Sequence, residues 1–195
     1  MGKIYYLMGK SSSGKDTLYK ELKKCFPGLR QVILYTTRPI REGEQDGVEY
    51  HFVPAEKLES YRKEGKLIEM RTYHTACGDW SYATVDDGQI CVGEADYLMI
   101  GTLESYRKMK EYFGADALIP IYIEVEDGER LCRALKRERQ QAVPRYDELC
   151  RRFLADKEDF SEEKLQEAGI TRRYRNQDQV QCLEEIAEEI RYGKF

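Results

Sequence analysis

An α/β fold with a central parallel sheet flanked by helices is predicted for this 195-residue chain by three observations. Apolar, β-rich segments alternate with segments of helical periodicity. The first apolar segment, Ile4-Tyr5-Tyr6-Leu7-Met8, runs straight into a glycine- and serine-rich loop. That loop opens a helix-forming run, Thr17-Leu18-Tyr19-Lys20-Glu21-Leu22. Such alternation puts helices on both faces of a parallel sheet and ligands at the C-terminal ends of its strands.

Taken in order, strands are expected at Ile4–Met8, Gln31–Tyr35, Tyr97–Ile100 and Ile119–Val125, with helices at Lys15–Cys25, Thr102–Phe113 and Gly128–Gln140. Two segments interrupt the alternation. Residues 36–84 hold short strands (Val48–Val53, Leu67–Tyr73, Trp80–Val85) around one helix, Pro54–Glu64, and read as a small antiparallel insertion. Residues 130–152 are helical, broken near Ala142-Val143-Pro144 and rich in arginine. At the end, Asp178–Arg191 places Val180, Leu183, Ala187 and Ile190 on one helical face that should pack on the core.

Composition narrows the class. A net charge of −4 with 35% charged residues does not suggest a nucleic-acid or membrane surface, and no apolar run approaches a membrane span. No secretory leader is expected, because the sequence reads as a strand from its first residues. Its six cysteines form no C-x-x-C pair and its two histidines are isolated, so neither a zinc site nor a disulfide frame is expected. A cytoplasmic, reduced protein is the expectation, monomeric or homodimeric.

Gly9-Lys10-Ser11-Ser12-Ser13-Gly14-Lys15 has the spacing of a phosphate-binding P-loop. Its backbone N–H groups can converge on an anion, Lys15 adds a mobile positive charge, and the following helix turns its positive end to the same point. The motif then calls for a Ser or Thr hydroxyl for magnesium. This chain has Asp16, with Thr17 one place later. Without its strand and helix, the run would be only a Gly/Ser-rich surface turn.

A second motif follows: Thr36-Thr37-Arg38-Pro39-Ile40-Arg41-Glu42-Gly43-Glu44-Gln45-Asp46-Gly47-Val48-Glu49-Tyr50-His51-Phe52. Two arginines three residues apart, with a tyrosine hydroxyl, are donors suited to another phosphate, because guanidinium grips phosphate oxygens in a fork. The alternative is a charged hairpin in which Arg38 and Arg41 merely pair with Glu42 and Glu44. In this segment the chain resembles the guanylate kinase family, whose GMP-binding pattern T-T-R-x-x-R-x-G-E-x-x-G-x-x-Y-x-F it matches at every fixed position.

The resemblance implies a P-loop kinase with a small β-rich nucleotide-monophosphate-binding insertion (about 34–85), an arginine-rich helical lid (about 131–152) and a core of 1–33, 86–130 and 153–195. It implies transfer of the γ-phosphoryl group of ATP to GMP with Mg²⁺. ATP would lie on Gly9, Ser11, Ser12, Ser13, Gly14, Lys15, Asp16, Thr17, Arg133 and Asn176. GMP would lie on Arg38, Arg41, Glu44, Tyr50, Glu69, Tyr82 and Thr84. Lys15, Arg38, Arg137 and Arg152 would act on the transferring group, and Asp16 and Thr17 on the metal. Arg139 and Arg151 belong to the same arginine-rich segment, whose inward faces the sequence leaves open.

Three departures stand out. Leu34 occupies a usual serine, Asp16 replaces a hydroxyl, and Ile100-Gly101-Thr102-Leu103-Glu104 lacks the aspartate of the family's Ile-Asp-x-Gln-Gly. A short insertion is also expected around Cys77-Gly78. A Gly-Lys-Asp-Ser/Thr loop resembles that of ribose bisphosphate phosphokinases as well, and the acceptor segment resembles non-catalytic guanylate-kinase-like binding modules. The first lack the full acceptor pattern and the second generally lack a working loop.

Overall fold

The computed structural model describes residues 2–75, 78–193 and 195. Strand β1 (Ile4–Met8) is buried along its whole length, as a strand covered on both faces must be. It pairs in parallel with β7 (Tyr97–Gly101) and β8 (Leu118–Glu124). The short strands β2 (Arg30–Gln31) and β9 (Tyr174–Arg175) extend the sheet in the order β2-β7-β1-β8-β9, all parallel. Met8 pairs with Gly101 and Tyr122, so the loop leaving β1 rises at the shared C-terminal edge, where a parallel sheet carries its ligands.

Alternation along β1 assigns the two faces. Ile4, Tyr6 and Met8 pack with Leu103, Tyr106 and Met109 of α3 (Leu103–Phe113) and with Leu165 of α6 (Glu162–Glu167). Tyr5 and Leu7 pack with Leu18 and Leu22 of α1 (Lys15–Cys25) and with Cys182 and Ile186 of α7 (Gln179–Tyr192). Thr102 caps α3 through a reciprocal bond with Ser105, and Asp178 accepts the Val180 and Gln181 amides to start α7. In α7 the buried face runs through Cys182, Ile186 and Ala187. Leu183 and Ile190 pack partly against it, whereas Val180, in the first turn beyond the core, is 65% exposed. The two-residue β9 and six-residue α6 are too short to leave a period in the sequence.

The second sheet has the order β4-β3-β6-β5. It contains β3 (Tyr35–Thr36), β4 (His51–Phe52), β5 (Leu67–Thr75) and β6 (Gly78–Val85), with α2 (Ala55–Lys63) packing Leu58 on it. It is mixed rather than antiparallel: β5–β6 and β3–β6 run antiparallel, but β3–β4 is parallel. The chain from Thr36 loops out and returns beside β3 in the same direction. The strand expected over Val48–Val53 shrinks to His51–Phe52, because Gln45–Tyr50 is folded into turns. There Val48 N–H donates to the Gln45 carbonyl and Gly47 N–H to that of Tyr50.

Gln31–Tyr35 also splits, its ends joining different sheets. Between them the Gln89 side-chain amide pairs with both backbone groups of Ile33 and replaces a strand neighbour. Cys77, where an insertion was expected, lies outside the described residues. The arginine-rich segment forms α4 (Asp127–Glu138) and α5 (Tyr146–Asp159), broken where Pro144 falls. No described helix is long and apolar enough to cross a membrane.

Candidate active site

Gly9 and Gly14 are needed because nothing larger fits. A Cβ on Gly9 would lie 2.6 Å from the Ile123 carbonyl oxygen. One on Gly14, whose φ is 85°, would lie 2.3 Å from Asn176 Nδ2. Asn176 is buried and donates from Nδ2 to the Ser13 carbonyl at 2.7 Å, so its amide side chain holds the loop. The hydroxyls of Ser12 and Ser13 are buried and lack hydrogen-bond partners among the described residues, a need that phosphate oxygens would meet. Lys15 Nζ lies 3.4 Å from Asp16 Oδ2, and the Asp16 side chain is 77% exposed beside exposed Thr17.

α4 and α5 hold the same loop from its other side. Arg130, only 1% exposed, donates from Nη1 to the Ser11 carbonyl and to Asp156 Oδ2, and from Nε and Nη2 to Asp127 Oδ1. The Ser11 N–H donates to Asp156 Oδ2 at 2.8 Å, and the guanidinium stacks 4.7 Å from the Phe153 ring centroid. Burial pushes the Asp127 carboxyl up, but Arg130 and Lys10 outweigh it and leave the group below its ordinary value.

Arg137, Arg145 and Arg152 line a cavity of about 130 Å³ with Ser11 and Ser12. Arg133 and Arg137 line another, of about 380 Å³, with Gly14, Asp16 and Thr17. Neither Arg139 nor Arg151 lines either one. The Arg151 side chain, with Arg152, instead holds the Glu148 carboxyl down to about 2.

The acceptor segment folds around Arg38. This guanidinium is 4% exposed and grips Glu44 with both Nη atoms, at 2.7 and 2.6 Å. It lies over the rings of both Tyr50 and Phe52, 5.0 and 5.2 Å from their centroids. Glu44 also accepts the Arg41 amide. Its hydrogen bond from Arg38 comes first among the causes that hold the carboxyl down to about 2. Arg38 thus pairs with Glu44, as in the hairpin alternative. The exposed Arg41 guanidinium makes no hydrogen bond among the described residues and is available to an anion. Rings of Tyr50, Tyr82 and Tyr73 form an edge-to-face row. Burial, then Tyr82, raises the Tyr50 hydroxyl above its ordinary value, and Asp16 adds to this from the P-loop side.

Glu69 is buried on β5. Oε1 accepts from the Thr84 hydroxyl at 2.8 Å, and Oε2 accepts from Arg71 Nε at 3.0 Å. Arg71 Nη1 reaches on to the Thr102 hydroxyl at 3.0 Å, which ties the second sheet to the start of α3. Leu34 packs against the core. The structure thus brings Glu69, Tyr82 and Thr84 onto paired strands and gathers Lys15, Asp16 and Thr17 at one loop. Sequence reasoning missed Arg130, Asp156, Arg145 and Arg71. Arg71 could have been found, since period-two alternation puts it on the face of Glu69. The others depend on how α4 and α5 cross.

The fold and loop together define the class of P-loop α/β proteins. Residues 1–94 match the family model of guanylate kinase. The chain is 35% identical over 88 residues to a guanylate kinase of Syntrophotalea carbinolica, covering 45% of this chain and 42% of that one. It is 37% identical over 99 residues to one of Neisseria gonorrhoeae, covering 51% and 46%. The matched stretch is about half the length of these curated relatives. The crystal structure of guanylate kinase from Anaplasma phagocytophilum has the same fold, with a TM-score of 0.68 and 18% identity over 98% of this chain and 86% of that one. Residues 1–94 thus resemble guanylate kinases, and the likeness in fold runs along nearly the whole chain.

Proposed function

We propose that the protein transfers the γ-phosphoryl group of ATP to GMP, giving ADP and GDP. The observation that carries this reading is the pairing, within residues 1–94, of a glycine-constrained loop bearing unpartnered hydroxyls with an acceptor segment bearing an uncommitted arginine, Arg41.

Phosphoryl transfer asks the protein for position and charge neutralisation, and needs no general base when the acceptor is already an anion. The loop amides of Ser12, Gly14, Lys15 and Asp16, the Ser12 and Ser13 hydroxyls and the Lys15 side chain would hold the donor phosphates, since the Ser11, Ser13 and Thr17 amides already donate to Asp156 and to loop carbonyls. Arg41 and Tyr50 would hold the acceptor phosphate, joined by Arg38 as it exchanges Glu44 for phosphate oxygens. Tyr82 would border that phosphate, and Glu69 and Thr84 would meet the guanine. Arg133, Arg137 and Arg152 of the lid would face the donor phosphates and the transferring group. Asn176 would act by fixing the loop's shape.

The oxygen donors of Asp16 and Thr17 suit Mg²⁺, which takes one or two protein oxygens beside phosphates and waters. When bound there it would neutralise phosphate charge. The layout fits one functional unit, with the insertion of about 34–85 and the lid of about 131–152 moving toward each other over the core.

The test is coupled ADP release with GMP, AMP, UMP and ribose 1,5-bisphosphate as acceptors. GMP is expected to be preferred. Preference for the sugar phosphate, or no turnover with any acceptor, would overturn the reading.

A further inference from the structure

We infer that Arg71 determines base specificity: with Glu69 it forms a donor–acceptor pair that reads a purine carrying a 6-oxo group beside N1–H. The inference deepens the proposed reading of the acceptor site and rests on it.

Glu69 is buried and Arg71 is mostly so, their side chains 2% and 11% exposed. They stand in a fixed row. Thr84 donates to Glu69, Glu69 accepts from Arg71 Nε, and Arg71 Nη1 donates to Thr102. Each end of the row is anchored on a different part of the fold, one on β6 and one at the N-terminus of α3. What stays unused is specific. Arg71 Nη2 has no hydrogen-bond partner among the described residues. The carboxylate accepts one bond on each oxygen and keeps lone pairs on both. The row therefore offers a charged donor beside a charged acceptor.

Guanine presents the complement: O6 accepts, and the adjacent N1–H and 2-amino groups donate. Adenine reverses the two nearest positions, setting its 6-amino group against the guanidinium and the bare N1 against the carboxylate. A site whose buried polar groups are left unpaired by the wrong base discriminates strongly. Nearby positions leave this donor role to Arg71. Leu34 is apolar and packs into the core, and Gly101 has no side chain. The Thr84 hydroxyl is already spent on Glu69. Arg71 also lines, with Tyr73 and Thr102, a cavity of about 550 Å³ to which Glu69 does not contribute.

The test compares kcat/KM for GMP, IMP, AMP and the 2-aminopurine ribonucleotide, which keeps the amino group but lacks both O6 and the N1 hydrogen. IMP retains O6 and N1–H and should be used within about tenfold to 200-fold of GMP, whereas AMP and the 2-aminopurine nucleotide should fall by about 1,000-fold or more. Arg71→Met and Arg71→Lys are read by the GMP to 2-aminopurine ratio. Lysine keeps a charge beside Glu69 and so keeps the fold, but it lacks the fork. Both variants are expected to reduce that ratio by about tenfold or more. A purely structural Arg71 would slow every acceptor alike and leave the ratio unchanged. That outcome, with GMP still a substrate, overturns this inference alone. A wild-type protein that neither phosphorylates nor binds GMP, by calorimetry, overturns the acceptor reading and the inference together.

Discussion

The phenol oxygen of Tyr6 stands where a side chain at residue 101 would begin: a Cβ built on Gly101 would lie 2.1 Å from it. Tyr6 is fully within the core, and its hydroxyl is bonded to Ser105 Oγ at 2.5 Å. The absence of a side chain at Gly101 and the tyrosine in β1 are therefore sterically linked. Either Tyr6 or a side chain at 101 can occupy that space.

Gly101→Asp is accordingly expected to destabilise the protein by about 1–3 kcal/mol through overpacking. Tyr6→Val removes a buried ring and carries its own cost, so the comparison is between backgrounds: Gly101→Asp should cost no more than about half as much in Tyr6→Val as in the wild type, since valine vacates the space. Urea denaturation of the wild type, both single variants and the double variant checks this. Equal costs of Gly101→Asp in the two backgrounds would show that Tyr6 does not exclude the side chain.

Much of this was legible in the sequence, for a physical reason. Ile4–Met8, Gly9–Gly14 and Lys15–Cys25 are fixed by local constraints: β-branched and aromatic burial, backbone turns that only glycine fits, and helical periodicity. The Arg38-to-Phe52 pattern likewise falls within one stretch of chain. The Gly101 gap was visible as a departure, but its cause was not, because Tyr6 lies far away in sequence and meets residue 101 only across the β1–β7 ladder. Asp156 and Arg130 were illegible for the same reason. A charged residue on an arginine-rich helix normally faces water, and only the crossing of α4 and α5 over Ser11 buries Arg130 and half-buries Asp156. Val180 misled because an apolar period continues into a first turn that the core does not reach.

The Arg130–Asp156 pair yields a stability prediction. Removing one partner leaves the other charge buried, which costs about 3–5 kcal/mol, whereas replacing both with apolar groups costs much less. Arg130 keeps Asp127 when Asp156 is lost, so Asp156→Leu should fall at or below the lower end of that range. Arg130→Met combined with Asp156→Leu should be less destabilising than the two single changes added together. A double-mutant cycle by chemical denaturation measures it, and strict additivity would refute the coupling.

Glu44 gives a pH dependence with a definite sign. Its carboxyl is held down to about 2 by Arg38, from an ordinary 4.5, so it binds fewer protons folded than unfolded in the interval between. Stability from the Arg38–Glu44 pair is present above pH 4.5 and is lost as pH falls through about 2. Glu44→Gln should lower stability at pH 6 and flatten the decline between pH 5 and pH 3. Denaturation midpoints at those three values test this, and parallel curves for wild type and variant would refute it.

Asp16 can be interpreted in two ways, and the geometry favours one. A carboxylate in the first turn of α1 is favourable toward the helix dipole by about 0.3–1 kcal/mol. It makes no capping bond here, however: Gly14 occupies the cap position, and no side chain accepts a backbone N–H there. Its Oδ2 instead lies 3.4 Å from Lys15 Nζ, at the mouth of the cavity that Thr17 and Arg137 also line. Beside a bound triphosphate an unscreened carboxylate would repel the nucleotide, so a cation between them is the arrangement that makes Asp16 useful. Asp16→Ser restores a hydroxyl at this position. It is expected to change thermal stability only slightly and to raise the Mg²⁺ concentration needed for half-maximal ATP binding, read by calorimetry as well as by turnover. A variant that lost stability with its magnesium dependence unaltered would return Asp16 to the helix terminus.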